Sequence, residues 1–221
     1  MKSLLYLFSI LLIVTYCGAS SIECVNVPTA EALDYGVGEF AFRIYSYGSI
    51  VTRFIFSPFN RINFGVSIDV KNLIGYDTPS VMEPTFYFKW RVFDGGRLFP
   101  AFALGYDGQS YSNLPAKNLY FAFSQNILYK KLFFDFGTNI TKYFGEQKVL
   151  GFVSLRTTIE DIVEFGIEYE NIGIKSIQQL NCKFGVKLAG VLDIDLIFND
   201  LANKENRIER QIKVKYLYRF F

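Results

Sequence analysis

Residues 61–70 read RINFGVSIDV, and their rhythm decides the fold. Ile62, Phe64, Val66, Ile68 and Val70 fall on one face of an extended chain, and Arg61, Asn63, Gly65, Ser67 and Asp69 on the other. A strict period of two is the mark of a strand whose faces meet different surroundings. The same rhythm recurs in residues 84–93, where Phe86, Phe88, Trp90 and Val92 oppose Thr85, Tyr87, Lys89 and Arg91. It recurs in 181–189, with Cys182, Phe184, Val186 and Leu188 opposite Lys183, Gly185 and Lys187. It closes the chain in 209–220, with Ile212, Val214, Tyr216, Tyr218 and Phe220 opposite Gln211, Lys213, Lys215 and Arg219.

Working outward, the pattern predicts twelve strands: 39–46, 49–57, 61–70, 84–93, 98–106, 117–126, 131–140, 149–157, 161–170, 181–189, 191–199 and 209–220. Segment 149–157 is ambiguous in face, since Leu150 and Phe152 alternate against Val149, Val153 and Leu155. A soluble sandwich also alternates, so further features must separate the readings. From the strand at 49 onward, short connections (58–60, 94–97, 127–130, 158–160, 190) alternate with long ones (71–83, 107–116, 141–148, 171–180, 200–208). Tight turns at one end and longer loops at the other are the habit of outer-membrane barrels. The final strand ends on aromatic residues, with Phe221 out of phase with the apolar face. The expected fold is all-β, a transmembrane antiparallel up-and-down β-barrel of about 12 strands. Tyr45, Tyr47, Phe59, Phe99, Tyr106, Tyr120 and Tyr218 are candidates for interfacial girdles.

The N-terminus supplies an address. Lys2, the apolar run Leu4–Val14 and Cys17-Gly18-Ala19 read as a Sec signal peptide over 1–19, cut after Ala19. A lipidated Cys17 fits less well because Tyr16 is bulky. The expected organisation is a signal peptide at 1–19, a periplasmic lead-in at 20–38 and a transmembrane barrel at 39–221. Localisation follows as the bacterial outer membrane, with lipid, lipopolysaccharide and the barrel-assembly machinery as partners. Cys24 and Cys182 remain after cleavage; a disulfide and two separate packed thiols both stay open.

Composition narrows the function. The 221 residues are 51% hydrophobic and 18% aromatic, which excludes disorder. A net charge of +2 argues against a nucleic-acid partner. No histidine is present, which removes His-dependent triads and most zinc sites. A carboxylate-only mechanism would have Asp69, Asp135, Glu164 and Glu168 to draw on, and nothing pairs them, so no enzyme is expected. No cofactor or metal is implied. Asp94-Gly95-Gly96-Arg97 lacks a following helix and reads as a hairpin turn.

The polar face of a membrane barrel points inward, which sorts the charges. Glu164, Glu168, Lys183, Lys187, Asp193 and Asp195 make a candidate ion-pair ladder, because neighbouring strands carry opposite charge. Arg43, Arg53, Arg61, Lys89, Arg91, Lys213, Lys215 and Arg219 make a candidate basic lumen wall, opposed on the first four strands only by Glu39 and Asp69. Such a wall suits an anionic solute or polysaccharide. Pairing with loop carboxylates such as Asp77 and Glu83 would cancel it.

Pro28-Thr29-Ala30, Leu33-Asp34, Asn72-Leu73-Ile74-Gly75, Phe93-Asp94-Gly95-Gly96-Arg97, Phe99-Pro100-Ala101 and Ala103 through Gln109 form a series over residues 27–111. It resembles a family of uncharacterised bacterial outer-membrane barrels and is similar to the exopolysaccharide-associated YjbH-like barrels. The resemblance implies a barrel and brings no catalytic residues. The expected function is a passive porin-like channel or a component of surface or exopolysaccharide export. The alternative is a non-conducting structural or interaction barrel with a charge-plugged lumen.

Overall fold

A computed structural model describes residues 21–111, 114–128, 132–202 and 208–220. Its strands are β1 (Val37–Tyr45), β2 (Ser49–Phe59), β3 (Ile62–Lys71), β4 (Ser80–Val81), β5 (Thr85–Phe93), β6 (Ala101–Asp107) and β7 (Asn118–Leu128). They continue as β8 (Leu132–Tyr143), β9 (Glu146–Ile159), β10 (Val163–Ile172), β11 (Gln179–Leu188), β12 (Leu192–Asn199) and β13 (Glu209–Arg219). The two-residue β4 is a spur on β3. The other twelve pair antiparallel with their neighbours in chain order, β3 meeting β5 directly. β1 then pairs with β13, from Val37↔Arg219 to Ile44↔Ile212, and closes the ring. The fold is a closed twelve-stranded antiparallel barrel.

Burial is inverted relative to a soluble protein. On β3, Phe64, Val66 and Ile68 are exposed while Asn63, Ser67 and Asp69 are buried. On β13, Ile212 and Tyr218 are exposed while Gln211, Lys213 and Lys215 are buried. An apolar exterior around a polar interior suits hydrocarbon as the outer solvent, and ring closure satisfies every strand's backbone groups there. The ambiguous β9 resolves the same way: Leu150, Phe152, Ser154 and Arg156 are buried inside, and Leu155 is exposed outside.

The expected loop asymmetry holds at most positions and fails at one. The 141–148 loop is instead a two-residue turn, Phe144–Gly145, between extended β8 and β9. Both residues have positive φ (48° and 86°), the signature of a type I′ hairpin turn, and Gly145 takes its share without a Cβ penalty. Tyr45 and Tyr120 also depart from the expected girdles. Both are buried in the lumen, and the Tyr45 hydroxyl donates to Asp69. Tyr47, Phe59, Phe99, Tyr106 and Tyr218 are exposed. Cys24 and Cys182 are both free, with Cys24 buried inside the ring and Cys182 among outward-facing residues. The barrel wall separates them. Residues 1–19, expected to be a signal peptide and including Cys17, and Phe221 lie outside the described residues.

The largest departure concerns the lead-in. Residues 22–33 do not hang below the barrel; every one of them is buried within the ring. The reason is charge and shape, built up below.

The plugged lumen as candidate functional site

The N-terminal segment is a hairpin made by its own backbone. The Cys24 N–H donates to the Val27 carbonyl (3.0 Å), Glu23 and Pro28 form a bridge, and the Thr29 N–H donates to the Ile22 carbonyl. The chain then runs to the rim, where Leu33 N–H donates to Asn63 Oδ1 and the Ser57 hydroxyl donates to the Leu33 carbonyl. Apolar patches on the inner wall receive it. Val25 and Val27 join Tyr120, Ala122, Phe152 and Ile197, and Ala30 lies against Ala101 and Ala103. Small residues on β6 leave room for the segment's backbone.

Two wall residues of opposite charge grip that backbone. Lys89 Nζ donates to the carbonyls of Ile22 (2.6 Å), Thr29 (2.9 Å) and Glu31 (3.0 Å), which uses all three of its protons. Glu168 accepts from the N–H groups of Val25 (2.9 Å), Asn26 (3.0 Å) and Val27 (3.1 Å). Neither clamp reads a side chain of the segment. A cavity of only about 10 Å³ remains beside it, near Tyr87, Asp107, Lys117 and Tyr120, room for about one water.

The segment's own carboxylates meet the basic wall. Glu23 bridges Lys213 and Arg53, the latter at 3.4 Å, and Arg53 also holds Asp107 at 3.0 Å. Glu31 bridges Arg91 at 2.7 Å and Arg156 at 3.7 Å, and Arg156 is fixed by Asp135 at 3.0 Å. Arg43 donates to Gln211 and to Asn26 Oδ1 and stacks 4.0 Å from the Tyr111 ring centre. Gln109 and Tyr111, which follow β6, are buried in the lumen as well, and Lys117 just before β7 pairs with Glu170.

Three of the eight expected wall residues do other work. Arg61 sits at the β2–β3 turn, half exposed, paired with Asp94. Its positive φ of 71° places it in the turn rather than on the wall. Arg219 is a rim residue 3.7 Å from Asp34. Lys215 is buried but belongs to the ladder, at 3.3 Å from Asp193 and 3.1 Å from Asp195. In that ladder Glu164 takes Lys183 at 2.8 Å and Lys187 at 3.3 Å. Among the described residues Glu168 forms no lysine ion pair; it accepts from Asn181 and from the segment's backbone. Asp77 and Glu83 are not the partners that cancel the basic wall; Glu23, Glu31 and Asp107 are. Glu23, Glu31, Arg156 and Asp107 escaped the sequence reading. Two acidic residues within the apolar stretch 22–33 were the only local sign.

The interior also holds the thiol. Burial pushes Cys24 well above the ordinary thiol range, so its nucleophilic thiolate is scarce while the segment is seated.

The architecture has counterparts of known structure. The KdgM porin aligns with a TM-score of 0.51 at 13% identity, over 81% of this chain and 98% of that one. A solved structure of the KdgM porin in complex with disordered oligogalacturonate aligns equally, over 84% and 99%. At this identity the likeness is one of fold. No protein-family model matches the chain, and no curated protein matches it.

Proposed function

We propose that this protein is an outer-membrane β-barrel channel of porin type, held closed by its own N-terminal segment. The burial of residues 22–33 inside a closed ring with an apolar exterior carries this reading. Withdrawing the segment would uncover Arg53, Lys89, Arg91, Arg156 and Lys213. The open lumen would then favour anions by focusing field into a low-dielectric tube. The fold shared with KdgM, seen there with oligogalacturonate, makes an anionic saccharide a reasonable cargo, and the YjbH-like resemblance points towards surface polysaccharide. Export by a signal at 1–19 and insertion by the barrel-assembly machinery complete the reading. Lipid and lipopolysaccharide would surround it. No catalytic step is assigned.

Planar bilayers test it. The wild-type barrel is expected to be mostly silent, and a variant lacking residues 22–33 to conduct steadily with anion preference. A folded deletion variant that stays silent, or a wild type that is steadily open, overturns the reading. The non-conducting scaffold is favoured by one observation, the double backbone clamp at Lys89 and Glu168. It predicts silence in both forms.

A further inference from the structure

We infer that the lumen carries two carboxylate seats, Arg53–Lys213 and Arg91–Arg156, which the N-terminal segment fills as an internal stand-in for an acidic polysaccharide. This rests on the channel reading above and names the ligand class of that channel. Glu23 bridges the first pair and Glu31 the second.

Holding the segment in place does not by itself call for these charges. The backbone clamps at Lys89 and Glu168 hold the segment whatever its side chains are. Replacing a buried ion pair by apolar residues of similar size is often neutral or stabilising. Charged plug side chains therefore suit a segment that must yield to a ligand of the same charge. Each seat is also prepared from behind. Asp107 fixes Arg53, and Asp135 fixes Arg156 through its Nε, while Arg61 shares Asp94 with Arg91. One cation per seat is left for the incoming carboxylate.

The stand-in fills the seats incompletely. Among the described residues Arg53 Nε and Arg156 Nη2 are buried donors without a hydrogen-bond acceptor, and Glu31 meets Arg156 only at 3.7 Å. A sugar acid, with hydroxyls beside its carboxylate, offers those donors more oxygens than a glutamate does. Guanidinium groups match such oxygen pairs in a forked geometry. The register separates the seats. Arg53 faces Ser67, Ser67 faces Thr85, and Arg91 is six residues further along β5. At about 3.3 Å per residue, that is about 20 Å along the strand. A monomeric acid reaches one seat; an oligomer reaches both and gains from the effective concentration of the second.

Cys24 reports the segment's position. In protein beginning at residue 20 and carrying Cys182→Ser, which leaves Cys24 as its one cysteine, the rate of maleimide labelling at Cys24 is followed with galacturonic acid, long oligogalacturonates or neutral maltohexaose. Long acidic oligomers are expected to raise the rate at least tenfold, with the monomer and the neutral sugar doing little. Glu23→Gln with Glu31→Gln removes the internal competitor, so the acidic oligomer should bind about tenfold tighter. Arg53→Gln with Arg91→Gln should abolish the response. Should either variant fail to fold, the other still decides the sign. Equal opening by the neutral sugar, no response to acidic oligomers, or unchanged binding to the Glu23→Gln/Glu31→Gln variant overturns the seats. Each of those can occur while the deletion variant conducts, so the channel reading fails separately, by silence of that variant.

Discussion

Two arcs of the same wall carry similar alternating charges and settle them differently. From β10 to β13, cations and anions meet across neighbouring strands: Glu164 with Lys183 and Lys187, Lys215 with Asp193 and Asp195. From β1 to β5 no matching row of carboxylates exists, and the partners come from Glu23 and Glu31 of the N-terminal segment and from Asp107 at the end of β6. Lys213 marks the border. It lies opposite Asp195 in the register, yet it turns to Glu23. A self-paired arc is finished wall. An arc completed by a separate segment is, on the proposal above, a surface that something else can complete.

The largest effect that sharpens this contrast is on the self-paired side. Glu164→Gln leaves the buried Lys183 and the partly buried Lys187 without their carboxylate and should cost about 3–5 kcal/mol. The temperature of the heat-modifiable gel shift should fall while Cys24 labelling stays slow. Fast labelling would mean that the arcs are not independent. Gly166→Cys tests the other side. A Cβ at Gly166 would stand 2.9 Å from Cys24 Sγ. That is near the separation of about 3 Å that an S–S bond of about 2.04 Å imposes between Cβ and the far sulfur. Oxidation should lock the segment, stabilise the barrel by about 2–4 kcal/mol and silence any residual conductance, with reductant reversing it. Conductance that persists in the oxidised form would break the link between the segment and closure.

Glu168→Gln weakens the clamp on Val25, Asn26 and Val27 and should cost about 1.5–3 kcal/mol. It should speed Cys24 labelling about tenfold or more, at 1.4 kcal/mol per decade, with the gel-shift temperature moving less than in Glu164→Gln. Arg61→Ala should be the smallest change. Its half-exposed pair with Asp94 is worth about 1 kcal/mol or less, so the gel-shift temperature and Cys24 labelling should hardly move, while Asp94, left to Arg91 alone, should lower anion preference only slightly. A clear change in selectivity would return Arg61 to the wall.

Much of this was legible in advance. All twelve long strands fall within a few residues of their expected places, because an amphipathic strand writes its period locally. The inward side of Arg43, Arg53, Lys89, Lys183 and Asp195 was legible for the same reason. The turn at Phe144–Gly145 was not, because nothing like Asn-Gly marks it and its flanking strands simply run on. Tyr45 and Tyr120 were misplaced because an aromatic at a strand end suits either face until neighbours decide. Arg61 and Arg219 carried the right parity but stood at strand ends, where parity no longer controls direction.

The lead-in shows where local reading stops. Residues 22–33 have neither strand alternation nor helical period, and their apolar side chains suit several surroundings. The sequence alone determined the barrel grammar, the inverted faces and the surplus of cations on the first strands, since each follows from spacing along the chain. Only the tertiary structure decided that this surplus is met by Glu23 and Glu31. Closing β1 onto β13 creates an enclosed, low-dielectric interior in which unpaired cations are costly. Glu23 and Glu31, tethered just ahead of β1, meet them there.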